Sequence, residues 1–188
     1  MNKIIGVEGK CGVGKSTYLV EIGVLSPEFA DFHIDEATYN KELGMISFDE
    51  QLKFVEYKIN EFKEKYEKLQ TQTEDLYMDR QVLSPIAFGA GYYKWYGLSD
   101  EQINEYLSSC YELLNNMPED WRNCLEILLL VPEDESDIRY RIMNRGRDFE
   151  VTRIEDIICV NNYYIDYLMD LLSKYDIPYK KKVIVQHN

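Results

Sequence analysis

The sequence predicts an α/β fold, a five-stranded parallel sheet with helices on both faces, and three observations predict it. First, the string Gly9-Lys10-Cys11-Gly12-Val13-Gly14-Lys15-Ser16 follows the apolar run Lys3-Ile4-Ile5-Gly6-Val7-Glu8 and fits the phosphate-loop pattern G-x-x-x-x-G-K-[ST]. Such a loop works only where a buried strand delivers it to the start of a helix. Second, short apolar runs alternate along the chain with segments of helical period. Third, Leu125-Glu126-Ile127-Leu128-Leu129-Leu130-Val131 is nearly continuous in apolar residues, as a strand covered on both faces requires. Together these predict the three-layer fold of P-loop NTPases, with ligands held beyond the carboxyl ends of the strands.

Each element has its own signal. Residues 3–8 supply the first strand, and Thr17 to Leu25 the helix after the loop, closed by Ser26-Pro27. Asp31-Phe32-His33-Ile34-Asp35-Glu36 reads as a short second strand. From Phe48, the apolar residues Leu52, Val55, Ile59, Phe62, Tyr66 and Leu69 recur at steps of three and four, the stripe of one helix face. Leu76-Tyr77-Met78-Asp79 is a third strand. Pro85 suits the first turn of the next helix, which runs on to Tyr96 through Gly89 and Gly91. Ser99-Asp100-Glu101-Gln102 makes a capping box before a helix with Ile103, Tyr106, Leu107, Cys110, Leu113 and Leu114 inward. After the strand at 125–131 the chain returns to helix from Glu133. Thr152-Arg153-Ile154-Glu155 predicts a second capping box opening a long helix, and Lys182 to Gln186 the fifth strand. With no repeat, low-complexity stretch or linker, residues 1–188 read as one domain.

Composition narrows the partners. Asp and Glu outnumber Lys and Arg by 34 to 21, and the formal charge of −13 repels nucleic-acid backbones and anionic membrane surfaces alike. No apolar run approaches the length of a membrane span, and no signal peptide precedes the first strand. Cys11, Cys110, Cys124 and Cys159 show no metal-ligand spacing. Cys11 lies inside the phosphate loop, where oxidation would obstruct binding. A reducing, cytoplasmic location is therefore expected.

Phosphoryl transfer needs positioning and charge neutralisation more than covalent chemistry. Backbone N–H groups of Gly9, Cys11, Gly12, Val13, Gly14, Lys15, Ser16 and Thr17 form the cradle, with the Lys15 ammonium on the β- and γ-phosphates of a nucleoside triphosphate. Ser16 offers a hydroxyl to Mg²⁺, and Asp79, at the end of a strand beside the loop, a carboxylate. Arg80 faces the same crevice. Glu36, at the end of the second strand, is the candidate base for an acceptor, with Asp35 its nearest rival. Arg141, Arg145 and Arg147 form an arginine-rich lid that suits phosphate oxygens. Gln51 can hydrogen-bond a nucleobase edge, and Phe54, Tyr57 and Phe88 can stack on it.

These residues resemble the deoxynucleoside kinases and their relatives the thymidylate kinases over most of the chain. The likeness runs through Val7-Glu8-Gly9 before the loop, an acid after strand two, the acid-arginine pair Asp79-Arg80, Pro132-Glu133, and Arg141-x-x-x-Arg145-Gly146-Arg147-x-x-Glu150. The resemblance implies ATP as donor with Mg²⁺, Glu36 as base for a sugar 5′-hydroxyl, and Arg80 holding that base and the reacting groups. It also implies an Arg141–Arg147 lid over ATP and the habit of forming homodimers. The family's acid-Arg-Ser is here Asp79-Arg80-Gln81, and Pro85 stands where many members place a base-reading aspartate, so base preference does not carry over. Asp79-Arg80-x-x-x-Ser84-x-x-Ala87-Phe88 is similar to the thymidylate kinase pattern. Those enzymes grip an acceptor phosphate with an Arg-Glu-Pro-Gly-like loop, whereas this chain has Asp35-Glu36-Ala37-Thr38. A carboxylate there suits a hydroxyl that loses a proton and repels a phosphate monoester. A deoxynucleoside kinase is thus the leading reading. A deoxynucleoside monophosphate kinase and a P-loop nucleotide-binding regulatory protein remain open.

Overall fold

The computed structural model describes residues 2–24, 39–40, 45–145 and 153–184. Four strands, β1 (Ile4–Glu8), β4 (Leu76–Asp79), β5 (Leu125–Pro132) and β6 (Tyr179–Ile184), form one parallel sheet in the order β4-β1-β5-β6. The α/β class is borne out, with four described strands where five were expected. The predicted second strand, Asp31–Glu36, lies outside the described residues. A short antiparallel pair, β2 (Tyr39–Asn40) and β3 (Met45–Ile46), had no sequence signal long enough to be read.

Register explains why the strand ends matter. Val7 lies opposite Asp79, and Glu8 opposite Leu129. The ends of β1, β4 and β5 therefore share one edge of the sheet. Alternation along β5 sends Leu125, Ile127 and Leu129 to a large core and Leu128 and Leu130 to a smaller one, as the period of two requires. The large core lies under α2 (Phe48–Leu69), α3 (Leu83–Trp95), α4 (Asp100–Leu114) and α7 (Ile154–Tyr175). The smaller core, Val7, Val13, Leu19 and Leu130, lies under α1 (Lys15–Glu21). Two short elements complete the described chain, α5 (Trp121–Cys124) and α6 (Ser136–Arg145).

The helix signals held where caps and stripes agree. Ser47 caps α2 by accepting from the Glu50 N–H, and Ser99 and Gln102 form the predicted capping box of α4. Helix α3 carries Gly89 and Gly91 because its neighbours leave no room. A Cβ at Gly91 would come 2.7 Å from the Tyr164 N atom, and one at Gly89 would meet the Tyr106 ring. Helices α3 and α7 thus pack with their backbones close, the most extensive helix contact among the described residues.

Three expectations are corrected. Helix α1 opens at Lys15 and ends at Glu21, short of Leu25, since Gly23 turns left-handed at φ 78 and ends the helix. The N-cap of α7 is Arg153, one residue after the predicted cap Thr152, which lies outside the described residues; Arg153 makes no side-chain cap, and Glu155 pairs with Arg139. Strand β6 begins at Tyr179, before Lys182, because pairing with β5 extends through three lysines, which an exposed sheet edge accommodates. Its predicted end, Val185 and Gln186, lies outside the described residues.

Candidate active site

The phosphate loop bridges β1 and α1 as predicted, and its glycines are required by contact as well as by backbone angle. Gly9, Gly12 and Gly14 have φ of 140, 85 and 102, values that favour glycine. A Cβ at Gly9 would lie 2.5 Å from the Leu130 carbonyl oxygen, and one at Gly12 would lie 2.9 Å from Ile142 Cγ1. Lys15 is buried, and its Nζ donates to the carbonyls of Gly9 at 3.2 Å and Lys10 at 3.1 Å. Burial first, and the Arg80 charge second, push the Lys15 ammonium down to about 8. Lys15 and Arg80 therefore share one electrostatic site. Thr17 is exposed on the first turn of α1.

Beside the loop, the chain leaves β4 through a strained turn. Arg80 has φ 58, which a side chain disfavours unless the surroundings hold it. They hold it in several ways. The Arg80 N–H donates to Val7 O at 3.1 Å, and the Lys58 ammonium, buried on α2, donates to the Asp79 carbonyl at 2.9 Å. The guanidinium stacks over the Tyr164 ring at 5.3 Å, donates to Ser84 Oγ at 3.3 Å and lies 3.8 Å from Glu8 Oε2.

Glu8 is the centre of this cluster and has no exposed surface. Its Oε1 accepts the Gln81 N–H at 2.7 Å, and its Oε2 accepts from Ser84 Oγ at 3.0 Å and from the Tyr164 hydroxyl. Burial, and then the Glu8 charge, hold the Tyr164 phenol protonated far above its ordinary range. A buried carboxylate is tolerable when it is paired and hydrogen-bonded throughout, and Glu8 is. Gln81, where the resembled pattern has serine, fits because Gly6 faces it: a Cβ there would lie 2.5 Å from Gln81 Cγ.

Asp79 is the candidate metal-holding acid. It sits at the carboxyl end of β4 next to β1, and its Oδ1 is buried without a hydrogen-bond partner among the described residues. Native proteins rarely leave such an oxygen unused, and a hard cation or its bound water would satisfy it. The Asp79 carboxylate therefore fits Mg²⁺, with the Ser16 hydroxyl the expected second ligand.

Helix α6 brings one arginine to the loop. Arg141 Nη1 donates to the Val13 carbonyl at 2.6 Å and overhangs Gly14. Arg139 is turned away and grips Glu155 with both terminal nitrogens. Arg145 ends α6, with its backbone alone described, and Arg147 lies outside the described residues, as do Glu36 and its rival Asp35. On the acceptor side, Gln51 is buried on α2 and its amide donates to Pro85 O at 2.9 Å, so that part of its hydrogen-bonding capacity holds α3. Phe54 stacks on Tyr57, and Phe88 on Tyr92. All four are aromatics on α2 and α3, the two helices that flank the end of β4.

Sequence reasoning missed Glu8, Lys58, Ser84, Tyr164 and Asn161 as parts of the site. Glu8 carried a signal, since a charged residue ends an otherwise apolar buried strand. Tyr164 and Asn161 carried none, being one tyrosine among 16 and a polar residue in a long helix. Cys11, expected to offer its N–H to phosphate, gives it instead to Asn161 Oδ1 at 2.8 Å.

No protein-family model and no curated protein sequence matches the chain. Solved structures do. The chain is similar to deoxyadenosine kinase from M. mycoides with bound dATP, at TM-score 0.68 and 18% identity, over 95% of this chain and 90% of that one. It is also similar to deoxyadenosine kinase from M. mycoides with the products dCMP and a flexible dCDP bound, at TM-score 0.65 and 21% identity, over 95% and 88%. At these identities the likeness shows the fold.

Proposed function

We propose that this protein is an ATP-dependent deoxynucleoside kinase, transferring the γ-phosphoryl group of ATP to the 5′-hydroxyl of a deoxynucleoside. The observation that supports this reading is that the phosphate loop after β1 and the Asp79-Arg80 turn after β4 leave adjacent strands at one edge of the sheet. Lys15 rises from the phosphate loop there and feels the charge of Arg80 and Asp79. The fold shared with deoxyadenosine kinase adds support.

In this reading the loop and Lys15 hold the β- and γ-phosphates, and Arg141 approaches from the loop's lip. Glu36 takes the proton of the 5′-hydroxyl as its oxygen bonds to the γ-phosphorus and the bridge to the β-phosphate breaks, releasing ADP. Arg80, fixed by Glu8 and Tyr164, orients the acceptor side. Mg²⁺ on Ser16 and Asp79 supplies charge neutralisation on the phosphate oxygens when bound. Arg145 and Arg147 complete the lid, and Gln51, Phe54 and Phe88 face the base. A single domain acting in the cytoplasm, and a homodimer, belong to the same proposal.

The test is a panel of deoxynucleosides and their monophosphates incubated with Mg-ATP. Turnover of at least one deoxynucleoside is the expected result. Turnover of monophosphates alone would replace the proposal by a thymidylate-kinase-type activity, and slow ATP hydrolysis without acceptor stimulation by a regulatory nucleotide-binding role.

A further inference from the structure

The phosphate loop is held from behind by helices that come long after it in the chain. Arg141 on α6 takes the Val13 carbonyl at 2.6 Å, and the Lys10 ammonium reaches Glu135 and Asn162, each at 2.8 Å. A two-point grip comes from Asn161 on α7, which is 2% exposed. Its Oδ1 accepts the Cys11 N–H at 2.8 Å, and its Nδ2 donates to the Cys11 carbonyl at 3.3 Å. One side-chain amide thus occupies both backbone groups of one loop residue, 150 positions away in sequence.

A phosphate loop functions by turning several N–H groups onto one anion. The peptide next to that cradle has to point away, and it needs a partner there if it is shielded from water. Asn161 supplies that partner. Gly12 follows Cys11 with φ 85 and packs on Ile142 of α6, while the Val13 N–H turns back to Lys10 O at 3.2 Å. With Cys11 bracketed, both of its backbone groups are held and it cannot turn without breaking two hydrogen bonds. We propose that Asn161 is a positioning residue of the nucleotide site: it fixes the Cys11 backbone so that the loop is pre-formed for phosphate, and α7 thereby sets the affinity for Mg-ATP. This rests on the reading of the loop as the ATP site. Pre-formed sites bind more tightly because the ordering cost is met before the ligand arrives.

The test pairs Mg-ATP calorimetry on wild-type and Asn161→Ala protein with backbone-amide hydrogen exchange on the nucleotide-free wild type. The inference expects a protected Cys11 amide in the wild type and a Kd for Mg-ATP raised by about tenfold in Asn161→Ala. A merely structural Asn161 would lower the melting temperature and leave the Kd of the folded variant unchanged, and that result overturns the inference. Should Asn161→Ala fail to fold, Asn161→Ser takes its place under the same criteria. A fast-exchanging Cys11 amide in wild-type protein that binds Mg-ATP overturns the clamp alone. Wild-type protein that binds no Mg-ATP overturns the donor reading and the affinity effect with it, while the exchange rate still reports the clamp.

Discussion

The two halves of the site are built in opposite ways. The proposed donor half is eight consecutive residues, Gly9 to Ser16, in which phosphate would be held mainly by backbone N–H groups. The proposed acceptor half is assembled around one buried carboxylate, Glu8, by the turn after β4 and by side chains of α3 and α7, from the Gln81 N–H 73 residues away to the Tyr164 hydroxyl 156 residues away. A backbone site tolerates substitution wherever no glycine, lysine or hydroxyl is needed. A side-chain cluster in low dielectric is coupled, so that losing one member strands the others. The difference predicts local functional losses in the first half and shared stability losses in the second.

The largest effect is expected from Lys15→Ala, which should lower turnover by about 10³-fold or more, as removal of a main electrostatic stabiliser does. The fold should survive, as read by circular dichroism. An active variant would break the donor assignment.

Glu8→Ala should act on the other axis. It leaves Arg80 without its carboxylate, and breaking such a buried pair costs about 3–5 kcal/mol. Urea unfolding measures this, and a loss under about 1 kcal/mol would mean that the cluster does not behave as a coupled unit.

Lys15 gives a pH prediction. With the ammonium lowered to about 8, Lys15 is charged below that pH and attracts phosphate. Above it the free protein has lost the proton and must take one up on binding. Mg-ATP affinity should therefore fall as pH rises through about 8, by up to about tenfold per unit. Calorimetry in two buffers of different ionisation enthalpy should detect the proton uptake. A flat profile from about pH 7.5 to 9.5 would place the proton elsewhere.

The smallest effects separate two arginines on one helix. Arg141→Ala should raise the KM for ATP by about tenfold, since its guanidinium overhangs the loop. Arg139→Ala should leave turnover within about twofold, because an exposed ion pair with Glu155 contributes little. Equal effects would mean that α6 presents a general basic face.

Much of the fold was legible because its signals are local. Leu76–Asp79 and the 22-residue α2 were readable to the residue, from an apolar run and an unbroken stripe. Boundaries failed where tertiary pairing decides them, as in β6, which gains residues from β5, and at the start of α7, whose N-cap is Arg153 and whose Glu155 pairs with Arg139. The place of Asp79 at a strand end was legible. Gln51 was read as a base contact, and the structure adds its bond to Pro85, which no spacing rule announces.

The amino-acid sequence by itself determined the phosphate loop, since the loop's chemistry is backbone geometry and backbone geometry follows from contiguous glycines ahead of a helix. Only the tertiary structure decided what surrounds it. Glu8 became the anchor of Arg80, and Asn161 the bracket of Cys11, because a parallel sheet brings together the ends of strands and helices that the chain keeps far apart. In that dry interior every polar group must find a partner, and the partner it finds is whichever one the fold puts within reach.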